Sequence, residues 1–155
     1  MKEHDFFRTT CACENCVACC KRQPGPLILS DVDAISGYLA EKQGVTREVA
    51  FEGLKKQLWA SPGALVKDLE TGQISRIGSI TPRMKNGRCV FLDDHDRCSI
   101  HPVAPFGCSH FDVHMDFETA HPRSLFVARK QMEPEFKKLR DQLPMATSYK
   151  PRTYP

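Results

Sequence analysis

The sequence predicts a small α+β domain with several helices and short β-hairpins. At 155 residues, the chain is long enough for one domain with a modest core. Some segments carry apolar residues at helical spacing, whereas shorter segments lie between turn signals and are typical of strands. Seven of the eight cysteines also fall into one interrupted pattern. We therefore expect the domain to be centred on a metal.

Composition and charge limit the class of protein. Hydrophobic residues make up 41% and charged residues 26%, as in soluble globular proteins. The net charge of +3 is slight and does not suggest nucleic-acid binding. The start has no secretory apolar core, and no run approaches the roughly 18 apolar residues of a membrane span. We expect a cytoplasmic protein, in which thiolate–metal bonds are favoured over disulfides.

Two helices are predicted after a turn rich in proline and glycine. Ser30 is a good N-cap for a helix from Ser30 to Gln43, which Gly44 would end. Thr46 is expected to cap a second helix, from Thr46 to Ala60. We expect both helices to pack outside the metal site as scaffold.

Hairpins are predicted in the middle of the chain. Segments 65–69 and 73–77 flank the turn signal Glu70-Thr71-Gly72. A second pair of strands, 88–92 and 97–100, surrounds an acidic turn. Cys89 and Cys98 would face each other across this hairpin.

A helical stripe is predicted from Leu125 to Leu143. Apolar residues at helical spacing support this, with Pro134 starting or kinking the second half. Residues 1–143 are expected to form a single cysteine-cluster metal-binding domain. Residues 144–155 are expected to be a loosely ordered tail.

The cysteines form the strongest motif. The predicted metal ligands are Cys13, Cys16, Cys19, Cys20, Cys89, Cys98 and Cys108. Buried cysteines can also serve as small apolar residues, but five within ten residues argue against that alternative. Cys11 lies outside the pattern and is an additional candidate.

Seven thiolates exceed the needs of one centre, since four make a tetrahedral zinc site or hold an iron–sulfur cluster. A four-thiolate cluster could leave three cysteines for a second metal, two zinc ions could share thiolates, or the remainder could be spare or redox-active. Adjacent Cys19 and Cys20 favour two centres, because neighbouring side chains diverge. The crowding, with a spacing that matches no zinc finger, favours an iron–sulfur cluster such as 4Fe-4S over zinc. Basic residues next to the ligands could balance the negative charge, namely Lys21, Arg22, Arg88 and Arg97.

A second constellation is His110-x-Asp112-x-His114. It is interpreted as a polar segment with satisfied histidines, as a source of His110 to complete a three-thiolate site, or as an independent non-haem iron site. His110 is therefore the second additional ligand candidate.

The cysteine pattern resembles the CxxCxxCC family of zinc- or iron-chelating domains. The matching text is Cys13 to Cys20, Leu29-Ser30-Asp31-Val32, Cys89-Val90-Phe91-Leu92, Cys98-Ser99-Ile100-His101 and Pro105-x2-Cys108. The resemblance covers roughly residues 11–111 and implies a bound zinc or iron–sulfur centre. In some members of that family, this module is part of a larger methylating enzyme. The family often has arginines where this chain has Ala104 and Ser109, which weakens the transfer of any outer-shell role.

The sequence contains no phosphate-binding glycine loop, nucleophile elbow or dinucleotide fingerprint. We therefore favour a metal-binding module with a structural, carrier or electron-transfer role, working with a protein partner that the sequence does not identify. The alternative is a metalloenzyme or an accessory subunit of a methyl-transfer or redox enzyme, so the sequence leaves open whether the protein is an enzyme. No membrane or nucleic-acid partner is expected.

Overall fold

The computed structural model describes residues 4–9, 18–22, 24–68, 70–112 and 114–147, without the side chains of residues 18, 19 and 64. Within these ranges, α-helices combine with two small antiparallel sheets, which confirms the predicted α+β class. The helices are α1 (Ala18–Arg22), α2 (Leu29–Gln43), α3 (Arg47–Lys55), α4 (Phe106–Ser109), α5 (Phe117–Gln131) and α6 (Pro134–Asp141). The strands are β1 (Leu58–Lys67), β2 (Ile74–Pro82), β3 (Met84–Lys85) and β4 (Arg88–Cys89).

Helix α2 begins one residue earlier than predicted. Ile28, in extended conformation, occupies the N-cap position, so the prediction that Ser30 caps this helix is wrong. The reason is the Asp31 carboxylate, which reaches back to accept a hydrogen bond of 2.9 Å from the Ile28 amide. Gly44 ends the helix in the left-handed conformation, as predicted.

Helix α3 is shorter than predicted. Thr46 caps it as expected, its hydroxyl accepting a hydrogen bond from the Val49 amide. The helix ends at Lys55, however, and the predicted last turn forms the start of β1. Leu58 and Ala60 are buried and pair with Pro82 and Ile80. This pairing partner lies far away in sequence, and a short apolar segment does not distinguish helix from strand by itself.

The hairpin of β1 and β2 is longer than predicted. It extends from Leu58 to Pro82 and contains a bulge between Ser61 and Ala64. Gly63 lies in this bulge at φ +73°, where a Cβ would overlap the Ile77 carbonyl. A Pro62-Gly63 pair is typical of the end of a helix, but in this protein it lies in a bulge within a strand.

The second predicted hairpin is much reduced. Strand β4 pairs with β3 across a tight Asn86–Gly87 turn, and only Leu92 and Cys98 form a bridge beyond it. Asp93 closes the loop, because its carboxylate accepts hydrogen bonds from the amides of His95 and Arg97. The predicted strands 88–92 and 97–100 are thus mostly turns, although the bridge keeps the chain reversal.

The C-terminal helices pack on the sheet and partly agree with the prediction. Pro134 occupies the first turn of α6, as expected, but α5 begins at Phe117, well before the predicted stripe. After α6, the amides of Ala60 and Ala146 bond to the carbonyls of Pro144 and Ala60. Residues 148–155 lie outside the described residues, so the predicted domain boundary and tail stay predictions.

The buried residues form two clusters. The larger contains Leu27, Val32, Ile35, Leu54, Leu58, Ala60, Ile80, Cys89, Phe91, Ile100, Phe136, Leu139 and Leu143, with Cys20 and Cys98 packed against it. The smaller contains Ile28, Phe106 and Val127, with Phe6, Phe111 and Phe126 packed against it. The main core therefore extends to the cysteines.

Candidate metal centre

Four of the predicted ligands lie in described parts of the chain and share one neighbourhood. Cys20 is in α1, Cys89 in β4, Cys98 at the Leu92 bridge and Cys108 in α4. Burial is the largest cause that raises the pKa of the Cys89 and Cys108 thiols, and the nearby cysteines raise it further, namely Cys20 and Cys98 for Cys89, and Cys20, Cys89 and Cys98 for Cys108. The fold thus brings together cysteines from four separate segments.

The side chains of the other predicted ligands are not among the described parts of the structure. Cys11, Cys13 and Cys16 lie among residues that the structure does not describe, and for Cys19 only the backbone is described. Among the described residues, no three histidine, cysteine or acidic side chains are grouped closely enough to hold a metal ion. The seven-cysteine ligand set therefore stays a prediction.

Cys108 lies against the segment that precedes α2. The Gly25 amide donates a hydrogen bond of 3.1 Å to the Cys108 Sγ. A Cβ on Gly25 would overlap the backbone of Gly107, and a Cβ on Gly107 would overlap the Pro26 ring. The Gly107 amide also donates to the Pro26 carbonyl at 2.9 Å. Only glycine at both positions allows this approach, which brings a backbone donor to the sulfur.

Asp31 connects α2 with the turn that carries Cys108. Its Oδ2 atom accepts hydrogen bonds from the Ile28 amide at 2.9 Å and from the Phe106 amide at 2.8 Å. Ile28 is the N-cap of α2, and Phe106 is the first residue of α4. One carboxylate oxygen therefore joins the N-termini of two helices that are distant in sequence.

Cys20 and Cys89 are flanked by a small ion-pair cluster. The Asp96 carboxylate binds Lys21 Nζ at 2.9 Å and Arg88 Nη2 at 2.6 Å. The hydrogen bonds from Lys21 and then Arg88 lower the pKa of Asp96. Lys21 and Arg88, which the sequence suggested as counterions for thiolates, thus bind a carboxylate and link α1 to β4.

The thiols are held in their neutral form by burial. Burial raises the pKa of Cys89 to about 12 and raises those of Cys98 and Cys108, the latter well above its usual value. Without a cation these sulfurs stay protonated at neutral pH, and a bound cation would be needed to stabilise thiolates there. Soft sulfur donors, one of them facing a backbone N–H, fit zinc or iron better than harder metals.

His110 lies in the smaller, aromatic cluster. Its ring stacks on Phe106 at 4.3 Å between centroids and meets the edge of His4 at 5.0 Å. Ser109 Oγ bonds to the Pro105 carbonyl at 3.1 Å and contacts His110 Nδ1 at 2.8 Å. Burial lowers the pKa of His110 to about 4, so the ring is neutral. Its predicted ligand role stays a prediction.

The structure does not assemble the predicted His110-Asp112-His114 donor set. The Asp112 carboxylate accepts a hydrogen bond of 2.7 Å from the His114 amide, and the His114 side chain is exposed. These three residues are described, and they do not form a group that could hold a metal ion. The polar-segment interpretation describes Asp112 and His114 well.

The N-terminal segment reaches the same region. The Thr9 amide donates a hydrogen bond of 2.8 Å to the Ser109 carbonyl, next to Cys108. Arg8 donates to the carbonyls of His101 and Pro102 at 2.8 and 3.0 Å. Sequence analysis missed this arrangement and the roles of Gly25, Gly107 and Asp31. One sequence feature did point to Asp31, namely its place in the segment Leu29-Ser30-Asp31-Val32, which carries part of the family resemblance.

Comparison with known proteins identifies the family. Neither the curated proteins nor the solved structures gave a match. Within the described residues, the helices are all too short or too polar to cross a membrane. A family model described as a "putative zinc- or iron-chelating domain" matches residues 12–130 and supports metal binding in general. Because that match covers most of the chain, including all seven patterned cysteines, the protein belongs to the CxxCxxCC family.

Proposed function

We propose that this protein is a metal-binding module that holds an iron–sulfur cluster or zinc through its cysteines, in a structural, carrier or electron-transfer role. The observation that carries the proposal is that Cys20 and Cys98 pack against the core cluster that contains Cys89, while the pKa of the Cys108 thiol responds to all three of these cysteines. Cys89 is buried and the other three are partly buried, and a thiophilic cation would use such a group of thiols as ligands.

The remaining ligands of the proposal come from the N-terminal cysteine cluster. The described residues on either side of residues 10–17 lie beside this region. Thr9 bonds to Ser109, and Cys20 interacts with Cys89 and Cys108. This placement supports a site completed by Cys13, Cys16 and Cys19.

Within this function, each described group has a defined task. Cys89 is only 6% exposed and belongs to the main core, so it excludes water from one side of the centre. The Gly25 amide donates to the Cys108 sulfur, and such hydrogen bonds stabilise negative charge on thiolates and tune reduction potential. A bound iron–sulfur cluster would supply one-electron chemistry, and bound zinc would supply structural stability or Lewis acidity.

An iron–sulfur cluster is the preferred centre in this proposal. Seven thiolates exceed the four of a structural zinc site, and their spacing is not that of a zinc finger. The neutral thiols require a reducing environment, so the proposal includes a cytoplasmic location.

The test is anaerobic purification of the full chain, followed by a visible spectrum and by iron, sulfide and zinc analysis. Broad absorption with stoichiometric iron and sulfide is the expected result. A colourless protein with stoichiometric zinc would support the metal-binding function, but it would show that the bound metal is zinc and not an iron–sulfur cluster. Protein that binds neither metal, even after anaerobic reconstitution, would overturn the proposal.

A further inference from the structure

The carboxylate of Asp31 is placed where it can control the geometry of Cys108. Its Oδ2 atom accepts a hydrogen bond from the amide of Phe106, which is the first of the four residues of α4. Cys108 follows two positions later in that helical turn. The residue before Phe106 is Pro105, whose side chain cannot accept a hydrogen bond, so Asp31 provides the side-chain cap of α4.

The same oxygen also fixes the partner of Cys108. By accepting from the Ile28 amide, Asp31 holds the end of the segment that begins at Gly25. The Leu27 amide donates to the Ile80 carbonyl at 2.9 Å, which attaches this segment to β2. Asp31 therefore connects the segment that carries Gly25 with the turn that carries Cys108, in addition to the backbone hydrogen bond between Gly107 and Pro26.

We infer that Asp31 is a positioning residue of the metal site, which holds the Cys108 sulfur against the Gly25 amide by joining the N-termini of α2 and α4. This inference rests on the proposed metal-binding function for its consequence. Loss of the carboxylate leaves the Phe106 amide without its acceptor and allows α4 to move relative to Gly25.

Asp33 provides a matched comparison on the same helix. It lies two positions after Asp31, and its side chain is 74% exposed in an ion pair with Arg47 of α3. Removing Asp33 takes away a surface interaction of small energetic value. It leaves both hydrogen bonds to Asp31 unchanged.

Three substitutions at Asp31 separate positioning from helix stability. Asp31→Ala removes both hydrogen bonds. Asp31→Asn keeps one carbonyl oxygen, which can accept from both amides because a single oxygen does so in the native protein. Asp31→Glu keeps a residue preferred at this capping position of α2, but its longer side chain does not fit the Phe106 amide at the same time.

The experiment measures two properties of each variant and of Asp33→Ala. The first is the affinity of reduced apo-protein for Cd²⁺, followed by the ultraviolet absorption of cadmium thiolates. The second is the alkylation rate of Cys108 relative to Cys89 in apo-protein, read by peptide mass spectrometry. We expect Asp31→Ala and Asp31→Glu to weaken Cd²⁺ binding by about 10- to 100-fold and to expose Cys108 selectively. Asp33→Ala should resemble the native protein, and Asp31→Asn should lie closer to it than Asp31→Ala does, because its carbonyl oxygen can still accept from both amides.

The outcomes separate this inference from the proposed function. Native protein that fails to bind Cd²⁺ contradicts the metal-binding proposal, whereas the alkylation rates still test the positioning of Cys108. A folded Asp31→Glu or Asp31→Ala variant with native affinity and native Cys108 protection overturns the inference. Should Asp31→Ala not fold, Asp31→Glu decides.

Discussion

The amide of Gly25 lies 3.1 Å from the Sγ of Cys108, although the two residues are far apart in sequence. The approach requires Gly107 as well, because any Cβ at either glycine would overlap the opposing backbone or the Pro26 ring. A backbone donor at a cysteine sulfur is typical of thiolate metal sites, where it stabilises negative charge on the ligand. The contact thus relates the packing of two glycines to the chemistry of one predicted ligand.

The first prediction follows from this packing. Gly107→Ala should reduce the free energy of unfolding by about 1–3 kcal/mol, because the added methyl group collides with Pro26. Urea titration followed by circular dichroism measures this change. Gly53→Ala in α3 is the matched control, since nothing lies within 4 Å of its Cβ position and alanine favours the helix by about 0.5–1 kcal/mol. Equal stability of the two variants would contradict the close approach.

The second prediction concerns metal and folding. Complete chelation, or Cys16→Ser, should lower the thermal stability of the whole domain, because Cys89 belongs to the main core and metal-binding free energy contributes to folding. Thermal unfolding, recorded together with metal analysis, measures the effect. Hydrogen exchange should accelerate in β1 and β2 as well as near the cysteines. Unchanged stability after complete metal removal would show that the centre does not support the fold.

Local signals in the sequence predicted the ends of elements better than their pairing. Gly44 and Thr46 were recognised correctly because a left-handed glycine and a capping hydroxyl act within one helical turn. Leu58 and Ala60 were assigned to a helix because their strand partners, Pro82 and Ile80, are distant in sequence. Secondary structure that depends on such tertiary pairing overrides local propensity.

The candidate site shows the same difference between local features, which the sequence predicts, and contacts between distant segments, which it does not predict. The predicted hairpin places Cys89 and Cys98 near each other, and Cys98 packs against the core cluster that contains Cys89. Nothing local indicates that Asp31 would bond to Phe106, because the donor is a backbone amide that any residue supplies. His110 was a ligand candidate by its position after Cys108, whereas its contact with His4 joins it to the N-terminal segment, which is distant in sequence. Tertiary contacts of this kind leave little trace in sequence.

The third prediction tests the ligand set. Cys89→Ser and Cys98→Ser should each lower the metal content as much as Cys16→Ser, because all three belong to the proposed centre. Metal analysis of anaerobically purified variants gives the metal-to-protein ratio. Cys11→Ser tests the additional candidate outside the seven-cysteine pattern, and a native metal-to-protein ratio in that variant would exclude Cys11 as a ligand. Full metal in Cys89→Ser or Cys98→Ser would exclude that residue as a ligand.

The last prediction concerns the ion-pair cluster of Lys21, Arg88 and Asp96. Asp96→Ala should weaken metal binding about tenfold, because the carboxylate joins the helix that carries Cys20 to the strand that carries Cys89. Asp96 also has a φ of +58°, so Asp96→Asn, which tolerates this conformation, separates the ion pairs from backbone strain. Cd²⁺ titration of the apo-proteins measures the affinities, with Asp94→Ala as an exposed acidic control in the same turn. Asp96→Asn should weaken binding nearly as much as Asp96→Ala, since an amide lacks the charge that attracts both cations. Native affinity in both Asp96 variants would mean that other contacts hold α1 against β4, and hydrogen exchange in α1 would then be unchanged as well.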